Sequence, residues 1–406
     1  MTQAKRERIL IAGATGSIGQ SSLSVLKSDP EKFEIWGLAA GSNAKALYQL
    51  CAQYQPQHAV LADPAACKEF KKISKSQGQW AGVFHEGASA LCSLAGSEEL
   101  DVHIAAITGG AGLYSTLAAV QAGKRVLLAN KEALVMAGSL MTDAARKSKA
   151  LLLPVDSEHN AIFQAMPLAF HQDFLANHLA SLSEYAISKL LLTGSGGPFR
   201  TKDRASLRTV SPSEAIAHPN WEMGAKISVD SATMANKGLE LIEAMYLFNC
   251  AADEIDIIIH PQSIVHSMVQ YQDGSVVAQM GEPDMRTPIA HCLAYPARMI
   301  SPVKPLDLIA QGALEFEAPD YKQFPMLKLA EQVARQGQSA MIIYNAANEI
   351  AVDMFLRQKL PFLAIDRLVN EVLDRSEFLH PKTLQEVLDI DANARELAGE
   401  LGLGIV

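Results

Sequence analysis

Ile9-Leu10-Ile11-Ala12-Gly13-Ala14-Thr15-Gly16-Ser17-Ile18-Gly19 decides the fold of this chain. Four apolar residues read as a buried strand, and the glycine string that follows at once opens a helix running to Leu26. Glycines at this spacing permit a tight turn. They also let a pyrophosphate approach the helix N-terminus, where free N–H groups and the helix dipole favour anions. A G-x-x-G-x-x-G string is weak by itself. Between the first strand and first helix of an α/β alternation it points to a dinucleotide.

That alternation continues outward. Phe33 to Ala40, His58 to Leu61, Val102 to Ile107 and Val126 to Ala129 read as strands, and Leu113 to Ala122 and Glu132 to Ser148 as helices. The pattern predicts a parallel, doubly wound sheet and a Rossmann-like NADP-binding domain over residues 1–150. The cofactor choice follows from the end of the second strand. NAD binders place an acid there for the ribose 2′-hydroxyl. This chain has Ala39-Ala40-Gly41-Ser42-Asn43 with Lys45 close by, which favours the 2′-phosphate of NADP.

Residues 151–285 mix types and predict a central α+β catalytic domain. Ile187 to Thr193 is a strand that runs into Gly194-Ser195-Gly196-Gly197-Pro198, and Asp273-Gly274 marks a hairpin between Val265 to Gln270 and Ser275 to Met280. That hairpin is a candidate edge for a second subunit, which the pattern alone does not establish. Recurrent prolines (Pro283, Pro288, Pro296, Pro302, Pro305) predict a linker over 286–320. Met326 to Arg335, Ser339 to Leu356, Leu363 to Leu373 and Leu384 to Leu397 have bundle-like spacing, so 321–406 is expected to be a C-terminal α-helical bundle domain.

The chain has 406 residues, 49% of them hydrophobic, enough for more than one core. A formal charge of -9 argues against a nucleic-acid partner, which would want a basic face. No apolar run is long enough for a membrane span. The cysteines (Cys51, Cys67, Cys92, Cys250, Cys292) are odd in number and lack C-x-x-C spacing, which fits a reducing, cytoplasmic setting.

The chemistry gathers in the middle region. Leu151-Leu152-Leu153-Pro154-Val155 ends in Asp156-Ser157-Glu158. Read as extended backbone, the two acids project to one face, where like charges repel unless a cation lies between them. Glu240 and Glu243 share a face of a helix whose flanks are apolar, and acids on a half-buried helix want a partner. Asp156, Glu158 and Glu240 together make an all-oxygen site suited to Mg2+ or Mn2+, with Co2+ a further candidate, rather than to zinc. Ser195 in its glycine loop, and Ser231, Asn236 and Lys237 around a helix start, are ingredients of a phosphomonoester pocket. Lys131, with Asn130 and Glu132, follows a strand at its C-terminal edge, where α/β enzymes bind ligands. His218-Pro219-Asn220-Trp221 and Met223 lie in a loop between the two phosphate-like segments. A tryptophan in a loop is more often a buried anchor, but this position favours a lid.

With these segments in view, the chain resembles 1-deoxy-D-xylulose 5-phosphate reductoisomerase. The resemblance rests on Gly13 to Gly19, Ala129-Asn130-Lys131-Glu132, Pro154 to Asn160, Thr193 to Phe199, His218 to Trp221, Asn236 to Glu240 and His260-Pro261-Gln262-Ser263, in order and nearly end to end. It implies an NADPH-dependent oxidoreductase and isomerase. The product would be 2-C-methyl-D-erythritol 4-phosphate in non-mevalonate isoprenoid biosynthesis, with a divalent metal. A retro-aldol cleavage and an α-ketol shift would use the same metal. It further implies a cytoplasmic homodimer inhibited by fosmidomycin. Asp156, Glu158 and Glu240 match the family's metal ligands. Ser195, Ser231, Asn236 and Lys237 match its phosphate contacts. Lys131, Ser157 and His218 match other substrate contacts, and Trp221 and Met223 its closing loop. Thr15, Gly16, Ser17, Ile18, Gly41, Ser42, Asn43, Asn130, Glu132 and Gly224 match its NADPH contacts. One departure is visible: Ser42 stands where some members carry a basic residue.

Two other readings compete. An aldehyde dehydrogenase of the aspartate-semialdehyde type shares the glycine loop but needs a nucleophilic cysteine with a histidine base. A non-catalytic NADP sensor would have no use for the acid set.

Overall fold

The computed structural model describes residues 5–404 apart from 218–220 and 222. Seven parallel strands form the first sheet: β1 (Glu7–Ala12), β2 (Phe33–Ala40), β3 (His58–Leu61), β4 (Val83–Glu86), β5 (Val102–Ala105), β6 (Arg125–Leu128) and β7 (Leu151–Pro154). Their order is β4-β3-β2-β1-β5-β6-β7. The direction of winding reverses between β1 and β5, so a crevice opens beyond the C-terminal ends of those two strands. Helices cover both faces, which is why Ile9, Leu10 and Ile11 are fully buried rather than alternately exposed.

The glycine loop sits at that crevice. The N–H groups of Gly13 and Ala14 donate to the Ala39 carbonyl at 3.0 and 2.8 Å, which ties the loop to the end of β2. Gly13 has φ +89, and a Cβ there would lie 2.4 Å from the Ala106 carbonyl oxygen just past β5. No other residue allows the two strand ends to approach so closely. The following helix, Ser17–Leu26, has Gly16 as its N-cap and no side-chain cap, so its first-turn amides stay available to an anion.

The second sheet comprises β8 (Ile187–Gly194), β9 (Ile255–Ile259), β10 (Val265–Tyr271) and β11 (Val276–Met280), in the order β11-β10-β8-β9. β10 runs antiparallel to β8 and β11, with Gly274 at φ +86 in the expected hairpin turn. The C-terminal helices are Pro325–Gln336, Gln338–Leu356, Ile365–Arg375 and Leu384–Gly404. They do not hang apart. Gln338 Nε2 donates to the carbonyls of Val135 and Met136 at 2.9 Å each. These carbonyls lie beside a kink at Ala137 in the helix Lys131–Ser148, where the helical ladder is interrupted.

Three expectations are corrected, and one strand is added. The sheet runs past residue 150: β7 pairs with β6, so Leu151–Pro154 belongs with the nucleotide-binding strands. β4 is the added strand: Val-Phe-His-Glu is a half-exposed edge strand with little apolar pattern to mark it. Residues 286–320 are more than a linker. The helix Arg286–Ala294 packs on Ser17–Leu26, β6 and β7, and it carries Pro288 in its first turn, where a missing N–H costs little. Asp156 and Glu158 do not alternate along a strand. β7 stops at Pro154, Asp156 is the N-cap of the helix Ser157–Ala165, and Glu158 lies in its first turn. The helix start, not the pleat, brings the acids together.

Candidate active site

A cleft of about 1050 Å³ runs from Gly16, Ser17 and Ile18 across Lys131 and Glu132 to the second sheet. Its floor is the acid cluster. Carboxylate oxygens of Asp156, Glu158 and Glu240 lie within 4.8 Å of one another. Glu240 comes from the helix Ala235–Leu247 and is almost fully buried.

Two lysines enter the cluster. Lys131 Nζ lies 2.5 Å from Asp156 Oδ2 and 3.0 Å from Glu240 Oε1, and donates to Asn236 Oδ1 at 2.9 Å. Lys237 Nζ lies 2.7 Å from Glu158 Oε1 and also pairs with Glu240 Oε2. Ser157 Oγ donates to Glu158 Oε2 at 2.6 Å. Burial alone would drain the charge from both lysines, but the surrounding carboxylates hold them above their ordinary range. Burial would likewise lift Glu158, and Lys237 overcomes it, holding the carboxyl well below normal. Glu240 goes the other way: burial, then the neighbouring Glu158 charge, pushes it up to about 7. Three carboxylates against two ammonium groups, all oxygen donors, is the chemistry of a hard divalent cation.

Behind the cluster lies a buried pair, His159 and Glu243. His159 Nε2 is 2.8 Å from the Glu240 carbonyl oxygen, and His159 Nδ1 is 3.4 Å from Glu243 Oε2. Glu243 therefore faces inward to His159, and burial pushes it up to about 7. The pair joins the two helices that carry Glu158 and Glu240.

The glycine loop around Ser195 packs against the segments that carry Ser231 and Lys237. A Cβ at Gly197 would lie 2.5 Å from the Ser231 carbonyl oxygen, and one at Gly194 would lie 2.6 Å from Lys237 Cε. The loop is glycine-rich because it packs directly on the helix Ala225–Thr233 and on the lysine stem. Ser195, Ser231, Asn236, Lys237, Trp221, Met223 and Gly224 all line the cleft. The Trp221 ring lies 6.2 Å from the His266 ring. His218 lies outside the described residues.

The residues expected at the cofactor divide. Gly16, Ser17, Ile18, Glu132 and Gly224 line the cleft. Thr15 sits in the glycine turn, and Gly41, Ser42 and Asn43 are exposed beyond β2, beside the loop but outside the cleft lining. Asn130 is buried and caps the helix Lys131–Ser148, accepting from Ala133 N–H while its Nδ2 donates to the Gly109 carbonyl at 3.1 Å. Lining residues that the sequence pattern does not mark include Thr108, Gly109, Lys226, His266 and Glu349. Thr108 and Gly109 follow β5, and only the strand order reveals that β5 borders the crevice. None of the five cysteines lines the cleft, and burial pushes the Cys51 thiol up to about 12, so the aldehyde dehydrogenase reading has no nucleophile.

The fold and the cleft define a dinucleotide-dependent oxidoreductase whose second domain offers a divalent-cation and phosphate site. Family models narrow this to one family. The model for 1-deoxy-D-xylulose 5-phosphate reductoisomerase matches residues 9–138, and models for its C-terminal domains match 152–248 and 280–397. The chain belongs to the 1-deoxy-D-xylulose 5-phosphate reductoisomerase family. It is 50% identical to the Haemophilus ducreyi enzyme of that name, over 98% of this chain and all of the relative. A crystal structure of DOX-P reductoisomerase in complex with NADPH, fosmidomycin and magnesium superposes with a TM-score of 0.93 at 44% identity, covering 98% of each chain. The Zymomonas mobilis enzyme in complex with NADPH gives 0.88 at 43% identity, covering 98% of this chain and 99% of that one.

Proposed function

We propose that this chain converts 1-deoxy-D-xylulose 5-phosphate to 2-C-methyl-D-erythritol 4-phosphate, in the non-mevalonate route to isoprenoids. The observation that carries the reading is the Asp156–Glu158–Glu240 cluster, with Lys131 and Lys237 in it, in the same cleft as the glycine turn. Asp156, Glu158 and Glu240 would hold a divalent cation, and Thr15, Gly16, Ser17, Ile18, Gly41, Ser42, Asn43, Asn130, Glu132 and Gly224 would hold NADPH. The cation would polarise the substrate carbonyl, and NADPH would supply the hydride.

The chain's own residues do the rest. Ser195, Ser231, Asn236 and Lys237 grip the phosphate, and that remote anchoring keeps the reacting end in place. Lys131 presents its ammonium to Asp156 and Glu240 and orients the sugar hydroxyls, with Ser157 and His218. Ser157 also orients Glu158 through their hydrogen bond. Trp221 and Met223 cover the cleft and exclude water. Residues 1–155 serve the nucleotide, 156–285 the metal and phosphate, and the C-terminal helices brace the two. Fosmidomycin, held with magnesium by the relative, is expected to fill the same site. The protein is read as cytoplasmic: all five cysteines are free, and among the described residues no helix is long and apolar enough to cross a membrane. The test is NADPH oxidation on adding deoxyxylulose phosphate, abolished by EDTA and restored by Mg2+ or Mn2+. No oxidation with the metal present would overturn the reading.

The second sheet supports a homodimer. β11 is an edge strand with Val276 and Val277 47% and 44% exposed, and Ile300, Leu308 and Ile309 are exposed on the segment beyond it. An apolar open edge of this kind invites pairing with its own copy about a two-fold axis. Val277→Lys is expected to shift the protein from dimer to monomer in sedimentation. A variant that stays dimeric would exclude this edge.

A further inference from the structure

Lys131 and Glu132 are neighbours at the start of one helix, and each reaches out of the nucleotide-binding sheet toward another part of the molecule. Lys131 turns into the acid cluster. Glu132 turns the other way and accepts from Lys226 Nζ at 2.8 Å. Glu132 is only 7% exposed, so this is a nearly buried carboxylate with a lysine partner ninety-four residues away.

Lys226 stands in the first turn of the helix Ala225–Thr233, beside Gly224 and Met223. Its Nζ also lies 2.8 Å from Asp230 Oδ2 on the same helix. Asp230 in turn accepts from Asn348 Nδ2 at 2.8 Å, on the helix Gln338–Leu356. Lys226 is therefore the middle of a chain of polar contacts through three parts of the fold. Its helix carries Ser231 at the other end, and Ser231 lines the substrate side of the cleft. Glu132 alone, buried without Lys226, would either take up a proton or swing toward water. The lysine instead holds it ionised: burial raises the carboxyl, and Lys226 overrides this to bring it down to about 2.

We infer that Lys226 is a positioning residue for NADPH, which fixes Glu132 as an ionised acceptor for the cofactor and ties it to the helix bearing Ser231. The inference rests on the proposed NADPH role of Glu132. Lys226 does not itself touch the reacting atoms in this scheme. Its effect passes through Glu132, and that makes it separable from a purely structural role.

The test is NADPH binding by the full chain without substrate or metal, read from nucleotide fluorescence. Wild type, Lys226→Met, Lys226→Arg, Glu132→Gln and the Glu132→Gln/Lys226→Met double variant are compared. Lys226 is partly exposed, so its removal is expected to weaken NADPH about tenfold rather than abolish binding. Lys226→Arg, which keeps the charge, should stay within about threefold of wild type. If Lys226 acts through Glu132, the double variant should bind no more than about twofold worse than Glu132→Gln. Wild-type affinity in Lys226→Met, or full additivity in the double variant, overturns the inference. Failure of the wild-type chain to bind NADPH overturns the cofactor reading instead.

Discussion

Glu240→Gln is expected to lower turnover with deoxyxylulose phosphate on the order of 10³-fold, because a metal centre's several kcal/mol of charge stabilisation converts at about 1.4 kcal/mol per decade. The substitution keeps the size and shape of the side chain. It takes a negative charge from a nearly fully buried donor that lies within 4.8 Å of Asp156 and Glu158. The fold should tolerate it, since one of three crowded carboxylates is neutralised and one amide oxygen remains for Lys131 or Lys237. NADPH binding should stay within about twofold of wild type, because the cofactor's proposed contacts come from other residues and distant sites add independently. Steady-state rates at saturating Mg2+, with a fluorescence titration of NADPH beside them, check both halves. Wild-type turnover would remove Glu240 from the cation site.

The split between this acid and its neighbour shows what the sequence made legible. The i, i+3 spacing of Glu240 and Glu243 places both acids on one side of the helix Ala235–Leu247. Which acid faces the cleft and which faces His159 depends on packing between two helices eighty residues apart. Spacing within one helix cannot carry that. The same limit applies to the nucleotide site. The glycine turn was legible because its conformation is written locally, in Gly13 and its neighbours. Thr108, Gly109 and Lys226 were not, since their place in the cleft follows from strand order and from a helix that returns long after the sheet is complete. Asp156-Ser157-Glu158 is legible in the sequence, but its geometry differs from the extended strand expected. Alternation along a strand predicted that the acids converge, and they do, but as the N-cap and first turn of a helix. There the macrodipole also favours negative charge, so the sequence selects acids for helix and site together.

Lys237→Ala is expected to raise the Michaelis constant for deoxyxylulose phosphate on the order of 10²-fold, since removing one partner of a buried ion pair costs about 3–5 kcal/mol, part of which relaxes away. Its side chain is 5% exposed, and its ammonium is already engaged by Glu158 at 2.7 Å and by Glu240. The stem is wedged against Gly194, at the mouth of the glycine loop that carries Ser195. A phosphate held by that loop and Ser231 would therefore meet a cation that reaches both the loop and the acid cluster. Its loss strips charge from the anchoring end and leaves the carboxylates of Glu158 and Glu240 less neutralised. The two consequences have opposite signs. Substrate binding weakens because the phosphate loses its counter-charge. Mg2+ binding, measured without substrate, should hold or tighten, because an ammonium that competes for Glu158 Oε1 and Glu240 Oε2 is gone. A phosphonate inhibitor should lose affinity in parallel with the substrate. If the Michaelis constant stays at its wild-type value while Mg2+ affinity falls, Lys237 supports the metal ligands and does not bind the phosphate.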